Sequence, residues 1–539
     1  MTGEAPTDER ADGELHRVLF ATSNGTGLGH LNRSMAIARR LGKGVEASFF
    51  TLSQAAPLVA REGYRVDYHP SYRRPGSGSD WQWNRRLRER LERTLAARPP
   101  DLVVFDGVHP YRALTHLLTE SGAPPAVWCR RPLWRPESPA AALGRTAAFD
   151  WVLEPGELAE ELDRGPTVAR REEAIRVPPI VLLDEGELLP REGAAAELGL
   201  DPGPTTALVN LGQGASVDAA VERVLATLSA RGDLQVAVLS SSIGSGVELP
   251  PGVVPLEATF PMSRYFRAFD LAVSAAGYNA FHELVAFAVP SLFVPMPRQT
   301  DDQPARASWA ERVGAGVGVA GPADTELGGG LQRLLDEGER ERMVDRCREQ
   351  FAGGGAERAA GEIRRILEGN PSRSPLADPD PLRRWLRMSA HPVGPTLPLA
   401  AALTARDLIR HPERRRPRAL VLAFELDPGT VDRQLRAVLE RTAAPPDRVL
   451  VLTDHADLVP FRQRGLGIHR APAAGEVGLA GDDAAYAEVL AEVVDAALAP
   501  WRGSWPVYGI GQWFEREAGP IPGRAAEFEV DSRPLELPS

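Results

Sequence analysis

The chain has 539 residues, room for about three to four domain-sized units, and its 43% hydrophobic and 25% charged content is that of a globular protein. With 62 basic against 73 acidic residues the net charge is -11, so no global positive field exists to hold a nucleic acid. Two cysteines make neither a disulfide framework nor a zinc site, and the only lysine, Lys43, lies in Gly42-Lys43-Gly44, which argues against a Walker A loop and a Schiff-base cofactor; no cofactor and no metal are expected.

The first residues are polar and acidic and lack an apolar signal core, so 1–15 read as a disordered N-terminus. No run of about 18 apolar residues occurs, and a cytoplasmic location is expected. From His16 onward short apolar runs alternate with helical patterns, the sign of parallel βαβ units. Strands are predicted at His16 to Thr22, Val45 to Leu52, Gly63 to Tyr68, Asp101 to Asp106, Ala126 to Cys129 and Trp151 to Leu153. After a Pro-rich, acidic linker at 177–192, a second series starts at Thr205 and continues at Leu234 to Ser240, Val253 to Leu256, Leu271 to Ser274, Ser291 to Pro295 and Gly316 to Val319. The expected architecture is α/β: two Rossmann-like domains, 16–176 and 193–369, facing a cleft at the carboxyl ends of their strands. A breaker-rich linker, 370–417, leads to an additional α/β unit at 418–539 with a polar, Pro-rich tail.

The first strand runs into Asn24-Gly25-Thr26-Gly27-Leu28-Gly29-His30-Leu31-Asn32-Arg33 and then a helix. Glycines let a ligand approach the backbone closely, and helix N-terminal amides favour negative charge. A dinucleotide site would place an acid at the end of the second strand; that strand reads EASFFTLS, which disfavours NAD. His30 at a helix start can accept a proton from a hydroxyl, and Asp106 at the end of another strand can orient it; the plainer readings are a packed or capping histidine and a helix-capping aspartate. Between Arg73 and Arg98 an Arg-rich segment carries Trp81 and Trp83, either a solvated helix with i,i+4 ion pairs or a patch for an acceptor or a membrane surface. Trp128, Arg130, Arg131 and Trp134 are expected near the cleft.

In the second half, Ser274-Ala275-Ala276-Gly277-Tyr278-Asn279-Ala280-Phe281-His282-Glu283 ends a strand in small residues and opens a helix, and Asp302 and Gln303 follow the next strand. These motifs, over about residues 16–368, resemble the inverting nucleotide-sugar glycosyltransferases of GT-B fold, among them the lipid II-forming N-acetylglucosaminyltransferase and the UDP-glucuronosyltransferase-like enzymes. The resemblance implies that the Gly277 region with Ser274, Tyr278 and Asn279 binds the donor's phosphates, that Glu283 holds the ribose, and that Asp302 and Gln303 hold the sugar. It implies a second phosphate-side loop at Gly212-Gln213-Gly214 and a base-packing turn at Phe260 to Met262. His30 matches the family's general base and Asp106 its partner, while Asn24, Gly25, Thr26, Gly27, Gly29 and Arg33 form an acceptor or phosphate loop.

The implied activity is metal-independent, inverting transfer from a UDP-linked sugar to an acceptor hydroxyl, with a lipid-linked acceptor and peripheral membrane association within its range. Two departures open alternatives. The form Gly29-His30-Leu31-Asn32-Arg33 lacks the Pro that follows the loop histidine in lipid II-forming enzymes and resembles nucleotide-sugar hydrolases of the same fold, which leaves a hydrolase or epimerase open. The stretch Ala419 to Thr453 resembles the opening of a GT-A glycosyltransferase but lacks a metal-binding DxD at a strand end, as in a degenerate, non-catalytic module. A non-catalytic sugar-nucleotide-binding scaffold is the third reading.

Overall fold

The computed structural model describes residues 15–376 except 24–27, 73–79, 121, 213–214, 240–248, 257–259 and 322–326, and residues 418–533 except 456–459, 462–463, 465, 472, 475–480, 499–505 and 516–529. The first unit comprises β1 (His16–Thr22), α1 (Gly29–Ala38), β2 (Val45–Thr51), α2 (Ala56–Arg61), β3 (Arg65–Tyr68), α3 (Asp80–Ala97), β4 (Leu102–Asp106), α4 (Arg112–Leu118), β5 (Ala126–Cys129), β6 (Trp151–Pro155) and β7 (Ala174–Val177). Its strands form a parallel sheet in the order β3-β2-β1-β4-β5-β6-β7. Chain direction across the sheet reverses between β1 and β4, where the two strands end level at Thr22 and Asp106. Val18 to Ala21 and Leu102 to Phe105 are buried on both faces, which is why these strands read as unbroken apolar runs.

The second unit comprises α5 (Arg191–Leu198), β8 (Thr205–Asn210), α6 (Ala215–Ser229), β9 (Leu234–Leu239), β10 (Val253–Leu256), β11 (Leu271–Ala275), α7 (Tyr278–Ala286), β12 (Ser291–Val294), α8 (Gln303–Val313), β13 (Val317–Gly318), α9 (Leu327–Leu335), α10 (Glu337–Gln350) and α11 (Gly355–Leu367). Its parallel sheet has the order β10-β9-β8-β11-β12-β13 and reverses between β8 and β11, so Gly212 and Gly277 follow the two strands that flank the crevice. The third unit comprises β14 (Ala419–Ala423), α12 (Val431–Thr442), β15 (Val449–Thr453), β16 (Gly467–Arg470), α13 (Asp483–Leu498), β17 (Val507–Ile510), α14 (Gln512–Glu515) and β18 (Val530–Asp531). Its parallel sheet, β16-β15-β14-β17-β18, draws its last two strands from the stretch that the sequence presents as a polar tail.

The first two units share a core. One buried cluster runs from Leu31 and Met35 of α1 through Ile180 and Leu182 of the connecting segment to Phe281 of α7 and Ala359, Ala360 and Ile363 of α11. The small residues of α11 let it cross back onto α1, and Arg364 Nη1 donates to the Arg40 carbonyl at 2.7 Å. At the start of α11, a Cβ on Gly355 would stand 2.2 Å from the Pro179 carbonyl oxygen and 2.4 Å from that of Pro178. Only glycine allows this approach of helix to connector.

Gly355→Ala is therefore expected to lower stability by roughly 1–3 kcal/mol in urea unfolding, whereas Gly193→Ala, with nothing within 4 Å of its added methyl, should be neutral or gain about 0.5 kcal/mol. Equal effects of the two would contradict the packing of α11 on the connector.

Candidate active site

Two helix starts meet at the seam between the first and second sheets. On the first side, Asp106 ends β4 and reaches His30 in the opening turn of α1, its Oδ1 2.6 Å from His30 Nδ1. Asp106 caps no helix, since α4 begins only at Arg112 with Tyr111 in the capping position. Arg33, one turn into α1, donates Nε to Asp106 Oδ2 at 3.1 Å and Nη2 to Oδ1 at 2.6 Å. Asp106 and Arg33 are buried, while the His30 side chain keeps 12% of its surface exposed. Burial alone would raise the Asp106 carboxyl, but the charges of Arg33 and His30 outweigh it and hold it below the usual range. Burial is also the largest influence on His30 and lowers its pKa; Asp106 opposes this, while Arg33 and Arg131 add to it. Burial and the neighbouring charges thus favour an ionised carboxylate beside a neutral imidazole. Nearby Cys129 remains a thiol, because burial pushes its pKa well up.

On the opposite side, Gly277 precedes α7 in an extended conformation. Asn279 Nδ2 donates to the Gly29 carbonyl at 3.1 Å, and Asn32 Nδ2 donates to Glu283 Oε1 at 3.0 Å, so the two helices are stitched together by an amide from each. Tyr278 stands between them as a buried pillar. Its hydroxyl donates to the Gly156 carbonyl at 2.9 Å and accepts from the Ile180 N–H at 3.1 Å, and its ring lies 5.0 Å from the Arg33 guanidinium and 5.7 Å from that of Arg306. Glu283 is 7% exposed, and burial pushes its carboxyl up to about 7 against the opposing bonds from Asn32 and the Leu182 backbone. Ser274, also buried, donates to the Ala275 carbonyl at 3.2 Å.

A third contact closes the seam. Arg135 N donates to the Thr300 carbonyl at 2.8 Å and Asp302 N to the Leu133 carbonyl at 3.2 Å, forming an antiparallel clasp around Trp134 and Asp301. Below it, Asp301 Oδ1 pairs with Arg131 Nη1 at 2.9 Å and Arg306 Nη1 at 2.8 Å; Arg306 also donates Nε and Nη2 to Glu157 Oε2 at 3.0 and 2.8 Å, and His282 Nε2 lies 3.1 Å from Glu157 Oε1. Burial raises the Glu157 carboxyl, but Arg306 and His282 prevail and hold it far below the ordinary range. Asp302 caps α8 by accepting from Ala305 N at 3.3 Å. Gln303 accepts from Met296 N at 2.9 Å and donates to Asp301 Oδ2 at 3.3 Å, with its amide 3.7 Å from where a Gly277 Cβ would stand.

The structure thus brings His30, Arg33, Asp106, Gly29, Tyr278, Asn279 and Glu283 together, with Gln303 bordering Gly277. Gly212 has φ +79°, and the Arg298 guanidinium stands 3.9 Å from where its Cβ would be. Phe260 lines an open groove along the later turns of α1, beside Met35, Arg39 and Tyr64; Met262 packs half-buried on the shared core. Asn24, Gly25, Thr26, Gly27, Gln213 and Gly214 lie outside the described residues, as does Asp378-Pro379-Asp380. Trp128 and Trp134 are core side chains, and Arg130 is buried against Glu173. On α3, Arg85 and Arg88 pair with Glu89 and Glu92 at i,i+4, Arg88 also with Glu120, and Trp83 is buried with its N–H on the Pro70 carbonyl. The sequence motifs contain His282 and Asp301 without giving them a role, and do not include Glu157 or Arg306; Asp301 and Arg306 flank Asp302 and Gln303, but no local spacing ties them to Glu157 about 150 residues earlier.

Residues 245–358 match the Glycosyltransferase family 28 C-terminal domain, a span containing Phe260, α7, the Asp302–Gln303 loop and α10. Among curated relatives, the UDP-N-acetylglucosamine--N-acetylmuramyl-(pentapeptide) pyrophosphoryl-undecaprenol N-acetylglucosamine transferase of Clavibacter michiganensis is 31% identical over 221 residues, 39% of this chain and 59% of the relative. The enzyme of the same name from Corynebacterium diphtheriae is 32% identical over 133 residues, 24% of this chain and 36% of the relative. The chain therefore spans about three fifths of the first of these relatives and about a third of the second. Solved structures similar to it include the glycotransferase of kitacinnamycin (TM-score 0.47, 19% identity, 66% of this chain and 100% of that one) and the glycosyltransferase SnogD from Streptomyces nogalater (TM-score 0.46, 20% identity, 66% and 100%). The fold is a pair of Rossmann-like domains with a further α/β unit. The second domain matches the Glycosyltransferase family 28 C-terminal domain over residues 245–358, and the chain is similar to the N-acetylglucosamine transferases named above.

Glu283 supplies a test of the seam. Its folded pKa of about 7 exceeds the roughly 4.3 of an unfolded carboxyl, so the folded state binds the additional proton between those values and the stabilisation this provides is lost as pH rises through 7. Glu283→Gln, which stays neutral, should resist urea better than wild type at pH 8, by on the order of 2 kcal/mol, and no better at pH 4. The same difference at both pH values would mean that the carboxyl titrates normally.

Proposed function

We propose that this chain is an inverting, metal-independent glycosyltransferase that moves a sugar from a UDP-linked donor to an acceptor hydroxyl. The observation that carries the reading is the His30–Asp106 pair at 2.6 Å, set across the seam from the start of α7 in the family 28 domain. The donor diphosphate is assigned to the amides at Gly277 with Ser274 and Asn279 beside them, and to the loop at Gly212; helix N-terminal amides stabilise the negative charge that grows on a leaving phosphate. The ribose is assigned to Glu283, whose carboxylate takes sugar hydroxyls in place of the Asn32 amide, the sugar to the Asp302–Gln303 loop, and the base to the Phe260 turn with Met262.

In the reaction, His30 Nε2 removes the proton of the acceptor hydroxyl while that oxygen attacks the anomeric carbon on the face opposite the diphosphate. The new C–O bond forms as the bond to the phosphate oxygen breaks, the diphosphate leaves with the electron pair, and the configuration inverts. Asp106 orients the ring and balances the imidazolium. The relatives named above carry a pyrophosphoryl-undecaprenol acceptor in their names, which supports a lipid-linked acceptor met by peripheral association; no described helix is long and apolar enough to cross a membrane. The third unit is read as a non-catalytic module. The GHLNR form of the loop favours a second reading, in which His30 activates water and the enzyme is a nucleotide-sugar hydrolase.

Nucleotide release from UDP-, TDP- and GDP-sugars, with and without candidate acceptors, tests both. Acceptor-dependent release that falls roughly a hundred- to ten-thousandfold in His30→Ala, with Glu283→Ala mainly weakening donor binding, is the expected result. Release independent of acceptor would move the assignment to a hydrolase, and donor binding without turnover would leave only a binding scaffold.

A further inference from the structure

Arg33 is 2% exposed and spends its guanidinium inside the protein, bidentate on Asp106 and stacked on Tyr278. Its Nη2 and His30 Nδ1 both lie 2.6 Å from Asp106 Oδ1 and 2.9 Å from one another. Two N–H groups therefore converge on one carboxylate oxygen. The 2.6 Å contact favours Nδ1–H over a bare Nδ1 that accepts from Arg33 Nη2, because a lone pair there would also face the Asp106 carboxylate. It also penalises a second proton on the ring, since an imidazolium would carry its charge 2.9 Å from a guanidinium nitrogen.

We propose that Arg33 is a positioning residue for the reaction, saturating Asp106 so that His30 is held as a neutral Nδ1–H imidazole with Nε2 free to accept the substrate proton. The proposal rests on His30 being the base. The charged groups that act on the ring among the described residues are consistent with it. Asp106 of β4 is the carboxylate among them and is shared with Arg33; Arg131, after β5, adds a second positive charge. Cys129 at the end of β5 stays a neutral thiol, and Tyr278 of α7 a neutral phenol. Lysine at position 33 would keep the charge but not the fork, because an ammonium lacks the planar pair of donors that spans both carboxylate oxygens. A phosphate-binding role for Arg33 is inconsistent with a side chain whose Nε and Nη2 are committed to Asp106.

The test is the pH dependence of kcat/KM from 5 to 9 for wild type, Arg33→Lys and Arg33→Met, with kcat and donor KM separated. Arg33→Met should move the acid limb upward by about one pH unit, a further tenfold loss at pH 6 beyond any uniform decrease. Arg33→Lys should leave the limb within a few tenths of a unit and lose rate evenly. A uniform loss in Arg33→Met with its acid limb unmoved, or a rise confined to donor KM, overturns the proposal. Should Arg33→Met fail to fold, or the wild type turn over no nucleotide sugar, ¹⁵N imidazole spectra of wild type assigned with His30→Ala decide it. Neutral Nδ1–H at pH 7 is the expected state; an imidazolium or an Nε2–H ring contradicts it whatever the reaction proves to be.

Discussion

The starts of α1 and α7 face one another across a seam that holds four charged side chains, buried Arg131 and Glu157 from the first unit, half-buried Asp301 and buried Arg306 from the second. Two cations and two anions alternate across the seam, so each unit supplies the partner that the other needs. Breaking such a pair leaves a buried charge uncompensated and costs roughly 3–5 kcal/mol. The mutual placement of His30 and Gly277 follows from this network together with the backbone clasp of 133–135 on 300–302. A hinge confined to the connector would have to break all of it, so the geometry of the reaction centre is a property of the pair of domains and of neither one alone.

Burial then sets the chemistry. Asp106 and Glu283 are both carboxylates out of water, yet they titrate in opposite directions: Asp106 has Arg33 and His30 against it, whereas Glu283 has only neutral donors. One is therefore a permanent anion beside the His30 imidazole. The other is a carboxyl held only by neutral amide donors. The division follows from partners, since residue type and exposure are nearly the same.

Much of the scaffold is legible in the chain itself. Unbroken runs such as VLFA and LVVF announce parallel strands buried on both faces, and the glycines after β8 and β11 mark the point where the strand order of the second sheet reverses. His30 and Asp106 are legible because each sits at the junction of a strand end or a helix start. What stays hidden depends on contacts far apart in sequence. Nothing local distinguishes Glu157 from a surface acid or Arg306 from a solvated helical arginine, and Tyr278 looks like a ligand-facing residue until its hydroxyl is found between Gly156 and Ile180. The short strands β17 and β18 are obscured in the same way, their few apolar residues diluted by turn formers.

On the proposed function, a nucleotide sugar lies between these helix starts with its reacting carbon toward His30. A crystal structure with a bound uridine diphosphate tests this most directly. The expected result is the diphosphate on the amides at Gly277 and Gly212, the ribose on Glu283 with the Asn32 amide displaced, and the terminal phosphate directed at the His30 side of the seam. A nucleotide seated elsewhere, with the Asn32–Glu283 bond intact, would contradict it.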